Sequence, residues 1–238
     1  MEAVQSEDMV LLMNKPLTWT PFQLVKKVKW LIRAKKVGHA GTLDPLATGL
    51  LVICTGKKTK TIETIQAAEK EYIGTFYIGA TTPSFDLETE RDAEFDISYI
   101  TEEKVREVFQ QHIGEIMQVP PMHSAVKLNG QRAYKLARRG EMAELRPKPL
   151  VIKTFELTRY ALPEVDFRVV CSKGTYIRAL ARDIGLALGA GAHLTALCRT
   201  RIGDYLLTDA LTVADLEAKY PRTNTITTAD TSQSADNQ

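Results

Sequence analysis

Gly38-His39-Ala40-Gly41-Thr42-Leu43-Asp44-Pro45-Leu46-Ala47-Thr48-Gly49 is the stretch around which the chain organises. It sets three glycines, an Asp-Pro turn former and a single carboxylate between a basic segment and the apolar run Leu50-Leu51-Val52-Ile53-Cys54. That run reads as a buried strand closed by Thr55-Gly56. Asp44 is therefore expected on a loop anchored by a core element, where a reactive group is held still and stays reachable. An isolated Asp-Pro is most often a turn whose carboxylate caps a neighbouring N–H. The weight rests on the whole block and on what accompanies it.

The 238 residues are 44% hydrophobic and 25% charged, ordinary for a globular chain with a sizeable core. A formal net charge of +2 implies no partner by itself, but the charge is segregated. Lys26, Lys27, Lys29, Arg33, Lys35 and Lys36 come without an acid between them, and Lys57, Lys58 and Lys60 follow. Seven basic residues lie between Lys127 and Lys148 against Glu141 and Glu144, whereas Ser84 to Glu107 carries nine acids against three bases. A near-neutral total can thus contain a basic face, although each run taken alone is the ordinary solvated side of a helix. Cys54, Cys171 and Cys198, with no Cys-x-x-Cys pair, fit reduced thiols in a cytoplasmic protein. The acidic N-terminus lacks a signal-peptide pattern, and no apolar run has the length of a membrane span.

Met9 to Asn14 reads as a first strand, ending in Lys15-Pro16. Thr20-Pro21 starts a helix in which Phe22, Val25, Val28 and Leu31 or Ile32 recur at helical spacing, with the lysines opposite. Lys70 to Thr81 reads as one long strand with Tyr72, Gly74, Phe76 and Ile78 on one side. Thr82 to Ser98, acidic and aperiodic, reads as an exposed loop. Thr101 caps a helix that buries Val105, Val108, Phe109 and Ile113 and stops by Gly114. Leu128 to Gln131 is a turn, and Ala133 to Arg139 a short basic helix stopped by Gly140. Leu150 to Leu162 and Val165 to Ser172 form two strands around Pro163-Glu164. Gly174-Thr175 opens a helix with Tyr176, Leu180, Ile184 and Leu188 on one face and Gly189 as its stop, and Thr212-Val213-Ala214-Asp215 is a capping box for a last short helix. Long strands mixed with few helices, without βαβ alternation, give an α+β fold.

The Asp44 block resembles the catalytic motif of the bacterial tRNA pseudouridine-55 synthases of the TruB type. Other segments resemble the same family: Lys15-Pro16, with Thr18 where the family has glycine; Lys70-Glu71-Tyr72; Pro120-Pro121-Met122-His123-Ser124-Ala125, with His123 at the usual aromatic; Cys171-Ser172-Lys173-Gly174-Thr175-Tyr176-Ile177-Arg178; and Leu197-Cys198-Arg199-Thr200-Arg201. The resemblance implies the pseudouridine synthase fold, a largely antiparallel mixed sheet flanked by helices with a central active-site cleft. It implies one catalytic domain over 9–220 between a flexible N-terminus, 1–8, and a disordered tail, 221–238, without the small C-terminal RNA-binding domain of many members. It makes Asp44, Tyr72 and Arg178 catalytic, with the arginine against Asp44. A basic thumb at about 123–149 would close on the T-loop. Expected contacts to substrate and RNA are His39, Tyr176, Leu197, His123, Lys127, Arg132, Lys135, Arg138 and Arg139. The implied partner is the T-arm of tRNA, with no membrane and no obligate protein partner, and the chain is expected to be a monomer.

Moving uracil from an N- to a C-glycosidic bond on one ribose is an isomerisation. It requires no cofactor, which agrees with a sequence lacking a P-loop, a dinucleotide fingerprint or clustered metal ligands. It requires an ionised carboxylate at the glycosidic bond, and Asp44 is the candidate. A contacting Arg178 would lower the pKa of Asp44 and fix its direction; the plainer alternative pairs Arg178 with Asp183. The base must leave its stack, a cost of a few kcal/mol that stacking and phosphate contacts offset. Competing readings are a catalytically idle RNA binder or folding chaperone, a synthase for another RNA, and a metal hydrolase using His39 and Asp44.

Overall fold

The computed structural model describes residues 8–122 and 145–221, together with 124, 127–128, 131–133 and 139. The expected flexible start, the disordered tail and most of the thumb, including its short helix, lie outside the described residues. In chain order the strands are β1 (Val10–Lys15), β2 (Val37–Ala40), β3 (Thr48–Thr55), β4 (Lys70–Ile78), β5 (Ala80–Thr81), β6 (Ala93–Glu94), β7 (Gly114–Gln118), β8 (Lys127–Leu128), β9 (Gln131–Arg132), β10 (Lys148–Ala161), β11 (Glu164–Cys171), β12 (Ala192–Ile202) and β13 (Tyr205–Leu206). The helices are α1 (Pro21–Leu31), α2 (Ile62–Ala67), α3 (Glu102–Gln111), α4 (Ile177–Leu188) and α5 (Val213–Lys219). Among the described residues no helix is long and apolar enough to cross a membrane.

Nine strands make one sheet in the order β1-β3-β12-β4-β11-β10-β7, with β2 on β3 and β13 on β12. Only β3 and β12 pair in parallel, so the sheet is mixed and largely antiparallel, as expected. The register decides which side carries the site. Arg199 of β12 stands opposite Tyr72 of β4 and opposite Gly49 of β3. Residues directly opposite share a face and alternate residues keep it. Tyr72, Arg199, Gly49, Leu51 and Ile53 therefore lie on one side of the sheet. Over one end of that side α1 and α5 bury Leu24, Val28, Leu31 and Leu216 against Met13, Leu51 and Ile53. Over the other end α3 and α4 bury Val105, Phe109, Leu180 and Ile184 against Phe76, Phe167 and Val169. Stacked rings fix that second layer, Phe76 on Phe167 at 4.1 Å and Phe109 on Phe155 at 4.0 Å. A smaller cluster with α2 covers Leu50, Val52 and Cys54 on the reverse side.

The helix starts follow from their caps. Thr20 and Thr212 each close a capping box, with Pro21 at the first position of α1, and Thr101 caps α3. Gly189 ends α4 at φ 71°, a left-handed conformation that costs glycine nothing. Three expectations need correction. On α1 the expected Val28, Leu31 and Ile32 are buried and Val25 packs against them, but Phe22 is exposed and Leu24 takes its place in the buried face. The long strand from Lys70 breaks at Gly79, whose φ of 103° turns the chain into β5. The acidic segment after it is no simple exposed loop: Thr82, Ser84 and Asp86 are buried, and β6 pairs with β5.

Thr18 stands at φ 69° in the turn between β1 and α1, and its N–H donates to the Pro45 carbonyl at 2.8 Å. A β-branched residue pays about 1–2 kcal/mol for that left-handed conformation, more than the 0.5–1 kcal/mol that glycine loses in chain entropy. Thr18→Gly is expected to raise stability by roughly 0.5–1 kcal/mol, read as a higher urea midpoint at unchanged slope. A lower midpoint would show that the hydroxyl or methyl group outweighs the strain.

Candidate active site

Asp44 sits on the loop between β2 and β3, and two buried cations hold that loop. The Arg199 side chain, fully buried under it, donates through Nε to the Leu50 carbonyl at 2.9 Å, through Nη1 to Thr42 at 3.2 Å and through Nη2 to Gly41 at 3.3 Å. Lys15, equally buried, donates to the carbonyls of Pro16, Trp19 and Pro45. Burial lowers the Lys15 pKa to about 8. A planar fork with several donors suits three carbonyls that point to one spot, and each carbonyl left without a donor in a buried site would cost about 1–3 kcal/mol. Gly49 allows the close approach: a Cβ there would meet the Arg199 backbone at 2.4 Å. Inside the loop the Ala47 N–H donates to the Asp44 carbonyl, which makes the expected Asp-Pro turn.

Arg178, in the first turn of α4, aims its guanidinium at this loop. Its Nε lies 2.9 Å from Asp44 Oδ2 and 3.4 Å from Asp86 Oδ2, and its Nη1 donates to the Ser84 carbonyl at 3.3 Å. The alternative partner, Asp183, pairs instead with its neighbour Arg182. Arg178 and Asp86 are both buried, whereas 42% of the Asp44 side chain is open to solvent. Asp44 is thus the member of the trio that another molecule can reach. The shallow cleft beside it is lined by Asp44, Asp86, Arg178 and the apolar Leu46, Leu87, Leu194 and Leu197.

Asp86 was not visible as a site residue in the sequence. Its segment folds back because Thr82 and Ser84 donate their hydroxyls to the Asp86 carbonyl, while the Asp86 carboxylate accepts the Glu88 N–H at 2.9 Å. The Leu194 N–H donates to the Phe85 carbonyl and ties the segment to β12. The signal available was the alternation Thr82, Ser84, Asp86, short polar side chains that bond their own backbone; it was masked by the acids around it. Asp86 also changes the charge balance. Arg178 lowers the pKa of Asp44, as expected, but partial burial and the Asp86 and Glu88 charges outweigh it, so the Asp44 pKa stands above the ordinary carboxylate value.

Tyr72 lies beside Arg199 on the floor of the sheet. It is buried, and burial pushes its pKa up, with the nearby Arg199 charge acting in the opposite direction. Leu197 lines the cleft as expected. The Tyr176 backbone N–H donates to Gln118 Oε1 at the start of α4, and burial pushes the pKa of its half-buried phenol up. His39 is part of β2, with Nδ1 3.3 Å from the Gly41 carbonyl, and burial lowers its pKa, so the ring is neutral at pH 7. The structure therefore brings Asp44, Arg178 and Leu197 to one cleft, and sets His39 in the adjoining strand. His123, Lys135 and Arg138 lie outside the described residues. Lys127 and Arg132 belong to the β8–β9 hairpin, and exposed Arg139 donates to Gln131 Oε1 at 3.0 Å. Among the described residues no group of His, Cys, Asp and Glu is placed to hold a metal ion.

The chain was compared with known proteins on this basis. The model of the TruB family pseudouridylate synthase N-terminal domain matches residues 29–177, and that of the tRNA pseudouridylate synthase B C-terminal domain matches 178–231. A protein of Flavobacterium johnsoniae named tRNA pseudouridine synthase B is 56% identical over 218 residues, 89% of this chain and 95% of that protein. Its namesake in Phocaeicola vulgatus is 58% identical over 213 residues, 87% and 91% of the two. Among solved structures, a chain of a Cbf5-Nop10-Gar1 complex superposes with TM-score 0.71 at 30% identity, over 92% of this chain and 56% of that one. A chain of an H/ACA RNP bound to a substrate RNA containing 2′-deoxyuridine gives 0.67 at 27% identity, over 89% and 53%. This chain thus spans about half the length of those solved chains. Family models over most of the sequence, relatives more than half identical along their whole length and a shared sheet place the chain in the TruB family of pseudouridine synthases.

Proposed function

We propose that the protein isomerises uridine 55 in the T-loop of tRNA to pseudouridine, with Asp44 as nucleophile and the target base flipped into the cleft. The observation that carries this reading is a solvent-reachable carboxylate held at 2.9 Å by a buried arginine beside an apolar-walled cleft, in a chain whose relatives are named for tRNA. The N1–C1′ bond breaks and the C5–C1′ bond forms. One proton leaves C5 and N1 takes one up, so atoms balance with no external reactant. Asp44 must be ionised to act, and Arg178 keeps its direction. Leu197 and its apolar neighbours accept the unstacked uracil, and Tyr72 lies against the target base. The basic residues of 123–149 hold phosphates of the T-arm.

With a T-arm hairpin tritiated at uracil C5, the wild-type protein is expected to release tritium. Asp44→Asn should lower the rate by at least ~10⁴-fold, the scale of removing a nucleophile, while still binding the hairpin. Release at a comparable rate from Asp44→Asn would remove Asp44 from the chemistry. Binding without release by the wild type would favour the chaperone reading.

The shared arginine also predicts a pH effect. Activity falls as pH drops through the Asp44 pKa, and the Asp86 charge is one cause of that pKa being high. Asp86→Asn removes a like charge, so ionised Asp44 becomes less costly and its pKa falls. The acid limb of the single-turnover pH–rate profile is then expected to move to lower pH, even where the plateau rate drops because Arg178 is less firmly held. A limb unmoved or displaced upward would contradict the charge balance described above.

A further inference from the structure

Between Met9 and Ile62 the chain has ten lysines and arginines, and Asp44 is its one acid. Part of that charge is spent inside the fold, on Lys15, and part on Lys27, which turns to Glu217 of α5 at 2.5 Å. Three others lie on or just past the outward side of α1. Phe22, Lys26, Lys29, Trp30 and Arg33 are all exposed. The separations of Phe22, Lys26, Lys29 and Trp30 place them on one side of a 3.6-residue helix, opposite Leu24, Val28 and Leu31, and Arg33 follows just past the helix end. Phe22 is 74% exposed and Trp30 47%. Phe22 is held in water on the same face as Lys26 and Lys29, a costly arrangement for a large ring, while Lys27 lies over the Trp30 ring at 5.2 Å.

The position of this face fits the substrate. The register argument puts α1 over the same side of the sheet as Tyr72, Arg199, α3 and α4. The turn that leads into α1 is bonded to the Asp44 loop through the Thr18 N–H and the Pro45 carbonyl. The turn that opens α1 is thus tied to the loop that carries Asp44. Cations without an acid among them match a phosphate backbone, and flat rings between them match sugar and base faces. A protein-binding patch would be more continuously apolar, with the charges at its rim.

Resting on the function proposed above, we propose that this face of α1 is a second RNA-docking surface. It engages the backbone of the substrate outside the T-arm, so that a whole tRNA is held at the cleft and also along α1. Phosphate contacts of this kind add affinity without reading sequence.

The test compares two RNAs on one variant. Lys26→Ala, Lys29→Ala and Arg33→Ala are combined; all three side chains are exposed, and a thermal melt confirms that the fold is kept. On the isolated T-arm hairpin the variant is expected to match the wild type within about twofold in affinity and turnover, because the cleft is untouched. On full-length tRNA its affinity should fall by about tenfold or more at near-physiological salt. The slope of log K against log salt should shrink by about 2–3, the counterion release of three phosphate contacts. Phe22→Ala should weaken full-length tRNA alone without changing that slope. Equal losses on both RNAs, or no loss on either, would overturn the proposal. A wild-type protein that isomerises neither RNA would instead overturn the function on which it rests.

Discussion

Arg178 faces two carboxylates with one guanidinium, and the chemistry of the cleft depends on that sharing. Asp86 and Arg178 are buried together, and a buried charge that loses its partner costs about 3–5 kcal/mol. The pair is therefore a fixed feature of the fold, joined to α4 on one side and to the segment after β5 on the other. Asp44 is the third member and the accessible one. It gains orientation from Arg178 without the full electrostatic stabilisation that an exclusive arginine would give, because Asp86 already claims part of that charge. An exclusive ion pair would leave the carboxylate ionised but unreactive, since its lone pairs would be committed. A shared one keeps it directed and still available to substrate.

The same economy appears under the loop. Lys15 and Arg199 are buried cations that donate to backbone carbonyls. Carbonyl ligands satisfy the donors without adding negative charge beside Asp44. Both cations act on the loop from below, Arg199 at Gly41 and Thr42 and Lys15 at Pro45, so the segment carrying Asp44 is fixed at both ends. Arg199 also stands opposite Tyr72 in the sheet, so one residue lies between the loop and that tyrosine. Displacing Arg199 would disturb both at once.

Much of this was legible in the sequence. The Asp44 loop, its following strand, the β10–β11 hairpin and the capped helices are local features, each set by short-range signals: glycine and proline, N-cap threonines and apolar periodicity. Arg178 was readable because a strand-to-helix turn places it in a first helical turn. What escaped was set by pairing across the sheet. Nothing local distinguishes Arg199 from Arg201 two residues later, which pairs with Glu69 and Glu71. Only the register with Tyr72 and Gly49, and the shifts in that register near Thr200, send Arg199 inward. Asp86 escaped because an acidic segment without periodicity reads as solvated, and its burial depends on Arg178, ninety-two residues away. On α1 the apolar spacing marks Val28, Leu31 and Ile32 correctly, but Phe22, hydrophobic yet facing solvent, stands where Leu24 is buried instead.

The central claim is that a carboxylate at position 44 isomerises one uridine of tRNA. Mapping pseudouridine at nucleotide resolution on unmodified full-length tRNA, after incubation with the wild-type protein and with Arg178→Lys, tests it most directly. The wild type should mark position 55 alone. Arg178→Lys keeps a positive charge but loses the planar fork that directs Asp44, and should mark the same position far more slowly. Pseudouridine spread over several uridines, or an undiminished rate in Arg178→Lys, would contradict it.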